Sequence, residues 1–240
     1  MLRDGSGWGA LAGITGVDLA RRGFAASPAQ LPASGPTWAT LGHEWLLAEQ
    51  YVKPHPVCFW AQPAVTAALR LRAADGLDPG AIAAVRIDTF HEATRLYQGL
   101  PASTQVAQYA LAFPVAAALV HGRLGPEEIT GAGLTDATVR ELAGRVAVRE
   151  RAAYSRRFPG QRLAAVTVRL ADGTELASGT TEPRGTPRDP MDREAIVAKY
   201  RDQAAPVLGA ERSAALEACA LGLGRPGADL GSLLRLTARP

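Results

Sequence analysis

The stretch A-A-V-T-V-R-L-A-D-G-T-E-L-A-S at residues 164–178 carries the clearest structural signal in this chain. Apolar and polar residues alternate along it, a pattern that is typical of a half-buried strand. Asp172 and Gly173 interrupt the alternation, and an Asp-Gly pair favours a tight turn because glycine adopts positive φ at little cost. The stretch therefore predicts a β-hairpin whose strands cover residues 164–170 and 174–178.

The segments on either side of this hairpin combine two more strands with several helices. Residues 83–90 alternate between apolar and polar side chains, and residues 146–149 also favour a strand. A helix is predicted from Thr104 to about residue 120, with Pro114 expected to kink or break it and Gly122 as its end. A few antiparallel strands packed with helices predict an α+β fold rather than a doubly wound sheet. Further helices are predicted at residues 5–24, 63–74, 136–143, 192–205, 211–221 and 229–236.

Composition excludes several classes of protein. The chain has 240 residues, of which 47% are hydrophobic and 20% charged, so it can bury a globular core. The apolar stretches are too short to span a bilayer, and the N-terminus lacks the pattern of a signal peptide, so we expect a cytoplasmic protein without membrane contact. The net charge is +3, but basic residues are interspersed with acidic ones and do not cluster with aromatics. Nucleic-acid binding is therefore not expected.

No metal or cofactor is predicted. The two cysteines, Cys58 and Cys219, cannot form a disulfide framework, and their spacing from the histidines fits no structural zinc site. Glycine-rich phosphate loops and nucleophile motifs are also missing from the sequence. Arginine supplies nearly all of the basic residues, and the only lysines are Lys53 and Lys199. A lysine that remains in such an Arg- and Ala-rich chain is a better candidate for a specific role.

The segment K-P-H-P-V-C at residues 53–58 brings together three side chains capable of acid–base chemistry. Two prolines flank His55, and each disfavours helix in the residue before it, so an extended segment is expected. Extended backbone would direct Lys53 and His55 to the same side. Both could then contact one ligand, although an exposed lysine and a simply hydrogen-bonded histidine are the alternatives.

Six segments, in order, resemble the C-terminal half of an MmgE/PrpD-family protein, the group that includes 2-methylcitrate dehydratase and cis-aconitate decarboxylase. They are the helix that ends L-A-R-R-G-F, K-P-H-P-V-C at 53–58, V-R-I-D-T-F at 85–90, residues 101–122, V-T-V-R-L-A-D-G at 166–173 and D-P-M-D-R-E-A-I-V-A-K-Y at 189–200.

The resemblance implies a division into a large all-helical domain and a smaller α+β lid, with the active site between them. Residues 1–50 would be a remnant of the helical domain with a linker, residues 51–190 the lid-like domain, and residues 191–240 closing helices. The family's histidine and aspartate from the helical domain have no counterpart in this sequence. Because an apolar surface of the lid would then be uncovered, a homodimer or a heteromer with a helical-domain partner is expected.

The resemblance also assigns roles to residues. It implies that Lys53 contacts a substrate carboxylate, and Cys58 lies where relatives carry Cys or His, so Cys58 is either a base or a small buried residue. His55 lies where the family often has an aromatic residue, and its position beside Lys53 makes it the other candidate base. Gln62 replaces the histidine that is usual in the family, and Phe113 replaces a tyrosine that some relatives have. Tyr109 lies one helical turn before Phe113 and either supplies a displaced hydroxyl or packs in the core. Gln62, Tyr109 and Phe113 are thus predicted to contact substrate.

Three functional hypotheses follow from these residues. The first is a cofactor-free lyase or isomerase that acts on a small carboxylate or polyketide-like acid through Lys53, His55 and Cys58. The second is one subunit of a split enzyme whose helical half is a separate chain. The third is a non-catalytic remnant that binds a small molecule or a partner.

Overall fold

The computed structural model describes residues 6–27, 38–74 and 77–238. The chain forms two compact units, and the boundary between them lies between Glu49 and Gln50. Within the first unit, helix α1 spans Ser6–Arg21, and a 3₁₀ turn spans Leu46–Glu49. Gly23 follows α1 with a φ of 83°, and its amide donates to the carbonyl of Ala20. The helix predicted here, with a glycine stop, is therefore confirmed.

The second unit contains a four-stranded sheet. Its strands are β1 (Ile82–Thr89), β2 (Val146–Glu150), β3 (Ala164–Leu170) and β4 (Glu175–Ala177), in the spatial order β2-β1-β3-β4. Strand β3 pairs antiparallel with both β1 and β4. Gly173 lies in the β3–β4 turn with a φ of 90°, so the hairpin predicted from its Asp-Gly pair is confirmed.

One strand pair differs from the antiparallel arrangement expected from sequence. Strands β1 and β2 run parallel, with Val85 opposite Val146 and Thr89 opposite Glu150. The connection between them is long and largely helical, and a parallel pair requires such a crossover. The sheet is therefore mixed, within an α+β fold.

Helices cover the sheet and form the core with it. They are α2 (Gln62–Ala74), α3 (His91–Thr94), α4 (Thr104–Ala107), α5 (Ala112–His121), α6 (Ala137–Ala143) and α7 (Ala152–Ser155). Helix α2 contacts β3 and α5, while α5 also contacts α6 and β2. The main core consists of side chains that these elements exclude from water, among them Val65, Leu71, Val85, Ile87, Phe113, Leu119, Leu142, Val166 and Val168.

The helix predicted over residues 104–120 is divided into α4 and α5. Tyr97 lies against the break: its amide donates to the carbonyl of Tyr109 over 2.9 Å, and its carbonyl accepts from the amide of Leu111 over 3.1 Å. Pro114 is in the first turn of α5, where a helix does not need its missing N–H. The helix is therefore interrupted before the proline, by pairing with another segment.

Three further helices close the chain as predicted: α8 (Arg193–Leu208), α9 (Ala210–Gly222) and α10 (Leu230–Thr237). The carboxylate of Asp192 caps α8 by accepting from the amide of Ala195 over 2.7 Å. Arg201 on α8 makes two 2.7 Å hydrogen bonds with Glu217 on α9. Helices α8 and α9 therefore form a connected antiparallel pair.

Candidate functional site

The predicted catalytic residues lie on a loop whose two ends contact each other. We call residues 51–59 the site loop. The Tyr51 and Phe59 rings stack with their centroids 3.9 Å apart, and the Arg162 guanidinium lies 4.8 Å from the centroid of the Phe59 ring. Offset aromatic stacking and cation–π contact both favour a fixed geometry. The loop is thus closed by side chains at its base.

Gln62 fixes the centre of the site loop. This side chain is fully buried in the first turn of α2. Its amide group donates to the carbonyls of His55 and Val57 over 2.8 and 3.0 Å, and its Oε1 accepts from the His55 amide over 3.3 Å. Buried polar groups need such partners, so both N–H groups of the side chain are used on the main chain.

The backbone around His55 differs from the extended segment that we expected. The amide of Val57 donates to the carbonyl of His55 over 2.9 Å, which closes a three-residue turn centred on Pro56. The fixed φ of proline suits the central position of an inverse γ-turn. Because the chain bends here, the alternation rule for extended backbone does not apply to Lys53 and His55.

The imidazole of His55 is held in one tautomer. Its Nδ1 lies 3.1 Å from the carbonyl oxygen of Leu124, which can only accept, so Nδ1 carries the proton and Nε2 keeps the lone pair of the neutral ring. Burial lowers the pKa of His55 below its usual value, and the charge of Lys199 lowers it further, against the opposing effect of the bond to Leu124. The lowered pKa favours the neutral ring, in which Nε2 carries the lone pair.

Lys53 is exposed, and a lysine from the C-terminal helices contacts its backbone. The Nζ of Lys199 on α8 donates to the carbonyl oxygen of Lys53 over 2.6 Å. Partial burial lowers the pKa of Lys199, and the positive charge of Lys53 is the second cause. The two lysines of the chain thus come together although 146 residues separate them.

Cys58 is fixed through its backbone. Its amide donates over 2.7 Å to the carbonyl of Gln108, in the break between α4 and α5. The side chain is half-buried, packs against the main core and is a free thiol. The structure thus places Lys53, His55 and Cys58 on one fixed loop, and their catalytic roles stay predictions.

The predicted substrate-contacting residues occupy different environments. Gln62 is buried behind the site loop, as described above. Phe113 is fully buried within the main core. Tyr109 is exposed, and its backbone lies next to Gln108 in the same break. Their contacts with substrate remain predictions.

A short segment after the sheet, residues 185–189, positions both the start of the site loop and the start of α8. We call this segment the strap. The amide of Val52 donates to the carbonyl of Gly185 over 2.8 Å, and Gly185 donates to the carbonyl of Asp189 over 2.7 Å. Gly185 has a φ of 86°, and a Cβ at this position would collide with the carbonyl oxygen of Val52. Three residues beyond Asp189, Asp192 caps α8, so the strap connects the two segments that carry Lys53 and Lys199.

Sequence reasoning did not assign a role in the site to Lys199 or to the Leu124 carbonyl. The scarcity of lysine was the one signal for Lys199, whereas a backbone carbonyl carries no residue-specific signal. Across residues 6–27, 38–74 and 77–238, no group of three His, Cys, Asp or Glu side chains could hold a metal ion. The helices of the same ranges include none with the length and apolar character needed to cross a membrane.

Comparison with known proteins supplies the family. No curated protein shows significant similarity to this sequence. A sequence model of the MmgE/PrpD C-terminal domain matches residues 55–223, which is more than two thirds of the chain. The matched region includes His55, Cys58 and Lys199 and begins two residues after Lys53. The fold and the matched region together establish that the chain belongs to the MmgE/PrpD family and contains its C-terminal domain.

Proposed function

We propose that this protein is a cofactor-free lyase or isomerase that moves a proton on a small carboxylate or polyketide-like acid. One observation carries the proposal: the contact of His55 Nδ1 with the Leu124 carbonyl leaves Nε2 as the basic nitrogen of the ring, on the same fixed loop as Lys53. A base and a cation are the two groups that proton abstraction next to a carboxylate requires. Membership of the MmgE/PrpD family supports the same class of chemistry.

In the proposed reaction, Lys53 binds the substrate carboxylate through its ammonium group. The Nε2 of His55 takes the proton from the neighbouring carbon, and the C–H electron pair delocalises into the carboxylate as an enediolate. Lys53 stabilises the added negative charge. In a lyase, this electron pair then expels a hydroxyl from the next carbon, which leaves as water with the proton from His55. In an isomerase, the opposite face of the same carbon takes a proton from water, and His55 gives its own proton back to solvent.

Cys58 is the alternative base. A thiolate abstracts protons as an imidazole does, and Cys58 shares the loop with Lys53. The bond from the Cys58 amide to Gln108 fixes the backbone in either case. His55 is the stronger candidate because its bond to the Leu124 carbonyl fixes the tautomer in which Nε2 carries the lone pair.

The experiment is proton–deuteron exchange in D₂O, followed by ¹H NMR on a panel of small hydroxy- and unsaturated carboxylic acids. We expect Lys53→Met to reduce exchange on the order of a hundredfold or more. Replacing the base should cost about a hundred- to ten-thousandfold, so His55→Ala and Cys58→Ala identify which residue it is. Lys53→Arg should retain only part of the activity, because a planar guanidinium group replaces a compact ammonium group poorly.

The matched control is His43→Ala, which removes an exposed histidine outside the site loop. It should exchange at the parent rate. If Lys53→Met, His55→Ala and Cys58→Ala also match the parent on an acid that the parent turns over, the chemistry lies elsewhere and the proposal fails.

We also propose that the protein associates with a second copy or with a helical-domain chain. The apolar side chains of α1 support this, since Trp8, Leu11, Ile14 and Val17 are each more than half exposed. Contiguous exposed apolar surface of this kind usually marks an interface.

A further inference from the structure

Helix α8, the first of the three closing helices, contributes a charged group to the site loop. Lys199 is half-buried on α8, a helix in which no residue is fully buried. Its Nζ donates to the Lys53 carbonyl over 2.6 Å. An ammonium group has three N–H donors, so two remain for a ligand at this position.

The two lysines lie close enough for their charges to interact. The charge of Lys53 acts on Lys199, and that of Lys199 acts on His55. In the described part of the chain, no salt bridge joins either lysine to an acidic side chain. Two arginines, by contrast, have acidic partners: Arg201 pairs with Glu217 and Arg184 with Asp192. Two like charges held together without a counter-ion repel, and a bound anion would relieve that repulsion.

We propose that Lys53 and Lys199 form one anion site, in which a single substrate carboxylate contacts both ammonium groups. The inference rests on the proposed function, because Lys53 is the carboxylate-binding residue there, and it adds α8 as the source of the second cation. Each carboxylate oxygen accepts a charge-assisted hydrogen bond from one lysine. The bond from Lys199 to the Lys53 carbonyl fixes the Lys199 ammonium beside the backbone of Lys53 before the ligand arrives.

This arrangement also gives α8 a function beyond packing. The strap through Gly185 and the cap at Asp192 fix the start of α8 relative to Val52. Lys199 then lies on the second turn of the helix, directed at the loop. A shift of α8 would move one cation and the Lys53 backbone together.

The scarcity of lysine makes the test direct. Protein labelled with ¹³C at lysine Cε should give two side-chain signals, and Lys53→Met and Lys199→Met assign them. The probe is succinate, with succinamide as its uncharged counterpart. We expect succinate, and not succinamide, to shift both signals with one shared midpoint. Each lysine variant should weaken succinate binding tenfold or more, as read from the remaining signal.

Two further variants separate charge from folding. Arg193→Met removes an exposed cation from the first turn of α8 and should leave the succinate midpoint unchanged. Lys199→Gln keeps a donor for the Lys53 carbonyl without the charge and should bind as weakly as Lys199→Met. If succinate shifts Lys53 while Lys199 stays fixed, the shared site is refuted and the proposed function stands. If neither signal shifts, the shared site is refuted, and the exchange experiment decides the proposed function separately.

Discussion

Replacement of Gln62 by leucine tests whether this side chain supports the site loop from within the core. Leucine has a similar volume but no polar atoms, so the change removes three hydrogen bonds and leaves the core nearly filled. The His55 amide and the Val57 carbonyl then lose their partner. The His55 carbonyl keeps its bond from the Val57 amide.

The magnitude follows from these bonds. Three net hydrogen bonds at about 0.5–1.5 kcal/mol each give a loss of about 1.5–4.5 kcal/mol in the free energy of unfolding. Because the Val57 carbonyl is buried and left without a donor, we expect a value near the middle of that range, about 3 kcal/mol. Urea unfolding should show a lower midpoint with an unchanged slope, since the surface exposed on unfolding is the same.

Gln98→Leu is the matched control. The Gln98 amide also donates to two main-chain carbonyls, those of Thr94 and Leu96, over 3.1 and 2.9 Å, but this residue is exposed. Water can replace its bonds, so the loss should stay below about 1 kcal/mol. A Gln62→Leu variant as stable as Gln98→Leu that nevertheless fails to bind carboxylate would refute the reasoning, because Gln62 would then act on the ligand.

Three other predictions concern pH, backbone geometry and assembly. The pKa of His55 should lie below the usual value for histidine, and Lys199→Met should raise it, because loss of a nearby positive charge makes protonation easier. An NMR titration of the imidazole measures this pKa. An unchanged pKa in the variant would contradict the prediction. If His55 is the base, the acid limb of the pH–rate profile should move to higher pH in the same variant. Gly185→Ala should lower the free energy of unfolding more than Gly173→Ala. Both glycines have positive φ, and placing alanine in that conformation should cost about 1–2 kcal/mol at either position. Only Gly185 also faces a backbone atom, the carbonyl oxygen of Val52, so equal losses would argue against the close approach. Light scattering at micromolar concentration should detect a dimer, or a complex with a helical partner, through the exposed apolar side chains of α1, and a stable monomer would count against this.

Local patterns in the sequence predicted most of the elements. The Asp-Gly turn, the glycine at the end of α5 and the cap at Asp192 each act within a few residues of the chain, so their signals are local. The parallel pairing of β1 with β2 and the break before Ala112 depend on contacts across more distant segments. Neither leaves a periodic signal in the residues that form it.

The candidate site also combines features with a local sequence signal and features that depend on distant segments. Lys53, His55 and Cys58 are neighbours in sequence, so their joint prediction needed only one segment. The contacts that fix them come from Gln62, Gln108, Leu124 and Lys199, and two of these act through backbone carbonyls that every residue possesses. Their identity therefore required the fold.

The amides of the site loop have a consequence for its dynamics. Residues 55, 57 and 58 each donate their N–H to an internal acceptor, and position 56 is a proline with none to donate. Surface loops usually exchange their amide hydrogens through small local openings, whereas hydrogens bonded into a core exchange only when a larger cooperative unit opens. This loop should therefore exchange with α2 as one unit. A ligand would then meet a preformed loop, and selectivity would come from side-chain reach instead of loop closure.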